Sequence, residues 1–377
     1  MAEKNHNFED LGRKPRQPGP GVYRQTGSIF FQWLPQELRD EIYFHLFSST
    51  RFAWGMRMME DDGHIDIKPA PNGLALLRVC RRMEHEIGDS WLSQVLFYFE
   101  DPQTLLDKLD PLPQDILSRI RRVTLAGHYP LISYSHCNLY YSIVSVFDNL
   151  PGLRLDELTV LGGHLPKLNY DGLHHLIADG SGWKVLRYIT FSSAMLGYRF
   201  DTQFWPDHIW RFHRKPQPSH WQDILEARDG SSSKPSVTVY RATEPGRYGC
   251  ILDPSKRVRY EQKPGQVRAS VSDPLVFQAD PELMTDGEKT KEILVVVKRG
   301  LGVDFEETGR PRRVHGDNAR DVRSWARAYG TRTHRVDFPV GEVERRPPQV
   351  DVYENADEYA WNPLYFTPCP SLLGDCD

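Results

Sequence analysis

Apolar residues between Phe30 and Phe47 recur with the period of a helix. They fall on every fourth position and are widened into a stripe by two aromatic residues: Leu34, Leu38, Ile42, Leu46, Tyr43 and Phe47. Pro35 suits the first turn of such a helix, because the amide hydrogen that it lacks would have no partner within the helix. The pattern therefore predicts an amphipathic helix over this range.

A second amphipathic helix is predicted from Leu74 to Ile87. Four apolar residues share one face of it: Leu76, Cys80, Met83 and Ile87. We expect this face to pack against the first helix. Between the two helices, residues 48–73 contain prolines and glycines that interrupt any long periodicity, which favours an inserted loop or a small hairpin.

Short apolar runs beyond the second helix predict strands that alternate with helices. The predicted strands are Val95–Phe99, Val123–Leu125, Leu158–Leu161 and Leu186–Phe191, and the predicted helices are Pro102–Leu109, Ile116–Arg119, Tyr140–Leu150 and Leu173–Ala178. The last three strands recur at a spacing of roughly 30 to 35 residues, typical of irregular βα repeats. A small α/β sheet with parallel strands and right-handed crossovers would produce the same alternation. Both arrangements belong to the α/β class.

The composition changes after Gly197. Residues 198–221 are rich in aromatic and basic residues, residues 236–260 are typical of strands, and the apolar run Ile293–Lys298 predicts a buried strand. We divide the chain into a disordered polar tail (1–25), a helical module (26–125) with an inserted loop (48–73), a βα repeat-like region (126–197), a mixed α/β C-terminal region (198–350) and an acidic aromatic tail (351–377).

Composition and charge narrow the classes of function. A formal net charge of -4 gives no global positive field that would hold a nucleic acid. The first 21 residues have no apolar run like that of a signal peptide, and no run elsewhere reaches the about 18 apolar residues of a membrane-spanning helix. The five cysteines are scattered, which favours reduced thiols. We expect a soluble cytoplasmic or nuclear protein with no membrane partner.

Sequence patterns typical of catalysis or metal binding are missing. The chain has no Walker loop, dinucleotide fingerprint, nucleophile elbow or zincin helix. His174 and His175 are adjacent and would point to different faces of a helix, and Cys369 and Cys376 have no second pair at zinc-finger spacing. We expect no catalytic residue, no metal and no cofactor. An enzyme without a recognisable motif is the less favoured alternative.

A cluster of rings and cations near residues 205–221 is a candidate binding surface for a target protein. Its members are Trp205, Trp210, Arg211, Phe212 and Trp221. Tryptophan and arginine dominate binding hot spots, which favours this interpretation. Stacking on single-stranded bases uses similar residues, but Asp201 and Asp207 interrupt the positive charge. A packed junction between domains would have the same composition.

The first third of the chain resembles F-box modules, and more closely the fungal F-box-like proteins that begin with a leucine–proline helix. Four segments carry the resemblance in the same order: LPQELRDEIYFHLF (34–47), LALLRVCRRMEHEI (74–87), FYFED (97–101) and LPQDILSRIRRVTL (112–125). In such modules an apolar surface docks on the Skp-type adaptor of cullin-based ubiquitin ligases. Here the resemblance assigns that surface to Leu34, Pro35, Leu38, Ile42, Leu46, Val79 and Cys80.

The resemblance implies a non-enzymatic adaptor that links a target protein to a ubiquitin ligase. Two features depart from the usual module: residues 48–73 separate the two helices, and Met83 lies where a tryptophan-type residue is usual. The alternative is a scaffold protein of the same family, without a ligase link, whose F-box-like residues close the core between two helices. Complete burial of Pro35, Ile42 and Val79 would favour the scaffold.

Overall fold

A mixed nine-stranded sheet with helices packed against it organises the protein. The computed structural model describes residues 25, 27–58, 64–67, 74–100, 102–127, 131–134, 137–140, 146–147, 150–162, 166–190, 192–197, 203–205, 208–210, 217–245, 260–262 and 285–305. The predicted α/β class is confirmed.

The strands and helices follow one another along the chain. The strands are β1 (Arg51–Met58), β2 (His64–Ile67), β3 (Leu96–Phe99), β4 (Arg122–Gly127), β5 (Leu131–Tyr134), β6 (Cys137–Tyr140), β7 (Leu155–Gly162), β8 (Trp183–Thr190), β9 (Gln203–Trp205), β10 (His208–Trp210), β11 (Ser236–Ala242), β12 (Tyr260–Gln262) and β13 (Ile293–Lys298). The helices are α1 (Ile29–Trp33), α2 (Gln36–Ser48), α3 (Arg81–Ile87), α4 (Trp91–Gln94), α5 (Pro102–Leu109), α6 (Gln114–Leu117), α7 (Pro166–Ala178), α8 (Ala194–Gly197), α9 (Ser219–Asp229) and α10 (Asp286–Lys289). Short 3₁₀ turns span Ala75–Arg78 and Ser231–Ser233.

The main sheet has the strand order β2-β1-β3-β4-β7-β8-β13-β11-β12. Strands β1, β3, β4, β7 and β8 are parallel and lie side by side in chain order. The strands at both edges, β2 on one side and β13, β11 and β12 on the other, are antiparallel to their neighbours. Of the two arrangements that the sequence left open, the described residues form a sheet, and it is larger than the small sheet that we expected.

The core lies between the helices and one face of the sheet. A row of buried apolar side chains crosses that face in register: Phe97, Val123, Leu158, Leu186 and Val297. They belong to one cluster with side chains of the helices, including Leu105, Leu176 and Trp221. The opposite face carries a smaller buried cluster around Tyr98 and Ile189. Burial of the apolar faces of sheet and helices against each other is the main stabilising term of this fold.

The first two predicted helices are each interrupted. Leu34 is extended (φ -90°, ψ 119°), because the ring of Pro35 excludes a helical conformation from the residue before it. Cys80 is also extended, and its Sγ accepts a hydrogen bond from the amide of Met83 at 3.4 Å, which caps α3.

The inserted segment 48–73 contributes to the main sheet. It contains β1 and β2, which form a hairpin, and β1 also pairs with β3. The rings of Trp54 and Phe99 stack at 5.5 Å across that pairing, which ties the segment to the core. The loop alternative for 48–73 is therefore wrong where these strands lie. At the other end of the sheet, the predicted strand Ile293–Lys298 is confirmed as β13, an internal strand between β8 and β11.

A buried ion pair joins the end of β13 to the end of α9. Arg299 donates to both carboxylate oxygens of Asp229, with nitrogen–oxygen distances of 2.7 and 2.9 Å, and the amide of Gly300 donates to the same carboxylate at 2.9 Å. Burial alone would raise the pKa of Asp229, but these hydrogen bonds outweigh it and lower the pKa. Both side chains are almost completely buried.

We expect Asp229→Asn to lower the free energy of unfolding by about 3–5 kcal/mol, because Arg299 keeps its buried charge and loses the opposite one. Denaturant unfolding of the full chain measures the difference. Asp286→Asn is the matched control, since the carboxylate of Asp286, paired with Lys289, is exposed and its loss should leave the unfolding midpoint almost unchanged. Equal destabilisation by the two substitutions would contradict the structural role of the buried pair.

Candidate functional site

Helix α2 has a buried stripe and an exposed apolar stripe side by side. Arg39, Tyr43 and Phe47 are buried, whereas the preceding residue of each, Leu38, Ile42 and Leu46, is exposed. Residues four apart lie on one face of a helix and neighbouring residues lie about 100° apart, so two stripes of this kind run parallel. The buried stripe thus combines the apolar ring of Phe47 with the polar groups of Arg39 and Tyr43.

A polar network centred on Glu86 of α3 holds the buried stripe of α2 in place. Its carboxylate accepts hydrogen bonds from Arg39 (Nε at 3.0 Å, Nη2 at 2.9 Å), from the Tyr43 hydroxyl at 3.1 Å and from Arg82 Nε at 2.9 Å. Arg39 Nη1 also donates to the carbonyl oxygen of Leu34 at 2.6 Å. A buried guanidinium needs such partners, because removing the opposite charge of a buried ion pair lowers the free energy of unfolding by about 3–5 kcal/mol. Arg39 therefore turns toward α3, and Leu38 turns outward.

The network shifts the pKa values of its members. Burial alone would raise the pKa of Glu86, but hydrogen bonds from Arg39, Arg82 and Tyr43 outweigh it and hold the pKa below its ordinary value. Burial, together with the bond to Glu86, raises the pKa of the Tyr43 hydroxyl. Glu86 is consequently ionised and Tyr43 protonated at neutral pH.

Helix α1 is fixed against the same network by its aromatic residues. Phe31 is buried, and the guanidinium carbons of Arg82 and Arg39 lie 4.3 and 5.5 Å from the centre of its ring. The rings of Phe30 and Tyr43 lie 6.2 Å apart. Cation–π and ring contacts of this kind stabilise the packing and leave the outer face of α1 uncovered.

The seven residues that the F-box resemblance assigns to adaptor binding all retain accessible surface. Leu34 and Cys80 are half-buried, and the other five are exposed: Pro35, Leu38, Ile42, Leu46 and Val79. The exposed fractions of Leu38, Ile42 and Val79 are 52%, 44% and 65%. Such exposure is costly for large apolar side chains unless a partner covers them.

Exposed apolar residues are concentrated in this part of the molecule. Seven large apolar side chains are exposed among the described residues: Ile29, Trp33, Leu38, Ile42, Leu46, Val79 and Leu301. Six of them lie between residues 29 and 79. We call these six the N-terminal apolar residues. The sequence analysis did not identify Ile29 and Trp33. These two residues are four positions apart, just before Leu34, and such spacing is typical of one face of a helix.

The prediction that the aromatic cluster binds a target protein is wrong for Trp221. This side chain is fully buried: its ring centre lies 5.4 Å from that of Tyr170, and Leu225, four residues later on α9, is buried beside it. Its role is core packing, which the sequence left open as a packed junction. Trp205 and Trp210 lie on β9 and β10, with side chains outside the described part. Arg211 and Phe212 also lie outside the described residues.

The histidines considered for metal binding make other contacts. The His174 ring stacks with Tyr170 and His220 at centre distances of 6.2 and 5.8 Å, and His175 Nδ1 lies 3.5 Å from Asp179. Across the described ranges, no group of three or more histidine, cysteine or acidic residues could hold a metal ion. Nor does any helix within those ranges combine the length and apolar character needed to cross a membrane.

Comparisons with known proteins supply no relative from which a role for this site could be taken. No protein-family model, curated protein or solved structure matches this chain. The features that bear on function are therefore the exposed apolar residues, the network that orients them and the F-box resemblance of residues 34–125.

Removing the charge of Glu86 tests the network. We expect Glu86→Gln to lower the free energy of unfolding at pH 7 by about 1.5–3 kcal/mol, the usual worth of hydrogen bonds to a charged group. Since the pKa of Glu86 is lowered on folding, its contribution is complete above the ordinary glutamate pKa and is lost as pH falls through the lowered value. The difference in free energy of unfolding between wild type and variant should therefore become smaller at acidic pH.

Urea unfolding at several pH values measures that gap. Glu41→Gln is the matched control, because Glu41 forms an exposed pair with His45 on the same helix and should contribute little. A gap of the same size at neutral and acidic pH would contradict a role for the ionised carboxylate.

Proposed function

We propose that this chain is a non-enzymatic F-box-like adaptor, whose N-terminal helices bind a Skp-type adaptor and whose remaining α/β region binds a target protein. The F-box resemblance of residues 34–125 supplies the identity of the first partner. The geometry of α1, α2 and the start of α3 supplies a surface of the right chemical character for docking. In this scheme no residue performs chemistry.

The proposal rests on one observation: residues that the F-box resemblance assigns to adaptor binding are exposed in the structure. The resemblance assigns seven residues without reference to structure, and four of the seven exposed large apolar side chains in the described part are among them: Leu38, Ile42, Leu46 and Val79. Apolar residues at the positions of a docking face are normally buried when they serve only as core. Here Leu38, Ile42 and Leu46 are exposed on α2, and Val79 is exposed directly after a 3₁₀ turn.

The same observation weighs against the scaffold alternative. If the F-box-like residues had become core, Pro35, Ile42 and Val79 would be buried between two helices. Pro35 and the other two are exposed, and the contact between α2 and α3 is made instead by Arg39, Tyr43 and Glu86. The burial that holds these helices together therefore does not use Pro35, Ile42 or Val79.

Binding of the full chain to a purified Skp-type adaptor tests the proposal. We expect the double substitution Leu38→Ala, Ile42→Ala to weaken binding at least about tenfold, because central apolar anchors carry most of the energy of an interface. Both side chains are exposed in the free chain, so the unfolding midpoint should not fall. Isothermal titration calorimetry gives the affinity, and circular dichroism checks the fold.

Leu301→Ala is the control for general apolar association. Leu301 is exposed and lies after β13, outside the F-box-like module, so its removal should leave adaptor binding unchanged. Absence of binding by the wild-type chain would contradict the proposed link to a ligase. Equal weakening by the Leu301 variant would show that the association is non-specific.

A further inference from the structure

The main sheet carries a row of partly charged side chains on the face opposite the helices. Four residues are partners in register across β4, β7, β8 and β13: Arg122, Glu157, Val185 and Lys298. Successive side chains of a strand point to opposite faces, so these four lie behind the buried apolar row that contains Val123. Lys298 is exposed and the other three are half-buried. We call these four residues the charged row.

The carboxylate of the charged row is engaged by an arginine on the same face of the sheet. Arg187 lies two residues after Val185 on β8, and its Nη1 lies 3.1 Å from Glu157 Oε1. Burial lowers the pKa of Arg187; Glu157 opposes this effect, and the positive charge of Arg122 adds to it. Arg122 and Arg187 therefore lie close enough to repel each other, with the single negative charge of Glu157 between them.

The two cations of the charged row have no paired carboxylate in the described part of the chain. Arg122 Nη1 donates to the carbonyl oxygen of Gln94 at 3.4 Å, which is a long hydrogen bond to a neutral group. Lys298 forms no ion pair with any described residue. The whole chain has a formal net charge of -4, so this part of the sheet reverses the sign of the protein. Such a surface is complementary to negative charge on a partner.

The spacing of these two cations favours an extended peptide as the partner. Adjacent strands lie about 4.8 Å apart, so three strand spacings separate the Arg122 and Lys298 positions by about 14 Å. An extended peptide advances about 3.3 Å per residue, so acidic side chains four residues apart, on one side of it, reach both cations. A nucleic acid fits less well, because its continuous line of phosphates would meet Glu157 between the two cations.

We infer that the charged row binds an acidic, extended segment of the target protein, with one carboxylate on Arg122 and another on Lys298. This inference rests on the proposed function, in which the α/β region binds a target, and it adds the surface and the chemistry of the bound segment. Strands β4 and β13 are both internal to the sheet, so the distance between the two positions is set before binding. Such preorganisation lowers the entropic cost of association.

Fluorescence anisotropy of labelled poly-L-glutamate, titrated with the full chain, tests the inference. At an ionic strength of about 0.15 M, exposed charges more than about 8 Å apart are largely screened, so the measurement reports local contacts. We expect the wild type to bind and the double substitution Arg122→Glu, Lys298→Glu to weaken binding at least about tenfold. Lys298→Glu alone changes only an exposed side chain, should fold normally by circular dichroism, and should weaken binding at least about threefold.

Arg78→Glu, Arg81→Glu is the matched control, because it makes the same change in net charge at two exposed cations outside the charged row. This control should bind poly-L-glutamate as the wild type does. Absence of wild-type binding, or equal weakening by the control, would overturn the inference. Tighter binding of a thymidine oligonucleotide, lost in the Arg122, Lys298 variant, would assign the row to nucleic acid and also overturn it. Titration with the Skp-type adaptor tests the proposed function separately, and the Arg122, Lys298 variant should bind the adaptor normally.

Discussion

The carboxylate of Glu86, together with the buried rings of Tyr43 and Phe47, holds helix α2 with Leu38, Ile42 and Leu46 toward solvent. It accepts hydrogen bonds from three side chains on two helices, and these bonds compensate for the cost of burying Arg39. Everything proposed about adaptor docking depends on that orientation. A neutral residue at position 86 would leave the buried guanidinium of Arg39 without its opposite charge, while the burial of Tyr43 and Phe47 would still favour the same orientation of α2. A polar network and buried rings together keep an apolar surface available.

The sheet provides a rigid base for this arrangement. Helix α2 ends two residues before β1, and α4 leads directly into β3, the strand beside β1. Phe47 and Trp91 belong to the same core cluster as Phe97, so the helices and the parallel strands share one apolar layer. Movement of α2 relative to the sheet would open that layer, which close packing resists.

The sequence predicted the apolar parts of the fold and missed the parts that depend on distant partners. Runs such as Leu158–Leu161 and Ile293–Lys298 are almost wholly apolar, and each is a strand in the sheet. The hydrophobic pattern could not predict the orientation of α2. A sequence pattern places Arg39 in solvent, because its partner Glu86 lies 47 positions away. Trp221 was misjudged because rings in a core and rings on a binding surface have the same composition. The proposed docking residues came from the resemblance, and their exposure could be seen only in the structure.

The strand order has a consequence for synthesis of the chain. Strand β8 ends at Thr190, but β13, its neighbour in the sheet, begins only at Ile293. At about 5–20 residues per second, the ribosome needs on the order of 5–20 s to make the intervening hundred or so residues. During that interval the parallel strands can assemble, while the backbone groups on one side of β8 await their partners. Nascent chains would be most prone to pair wrongly in this window, and the antiparallel strands close the exposed edge when they arrive.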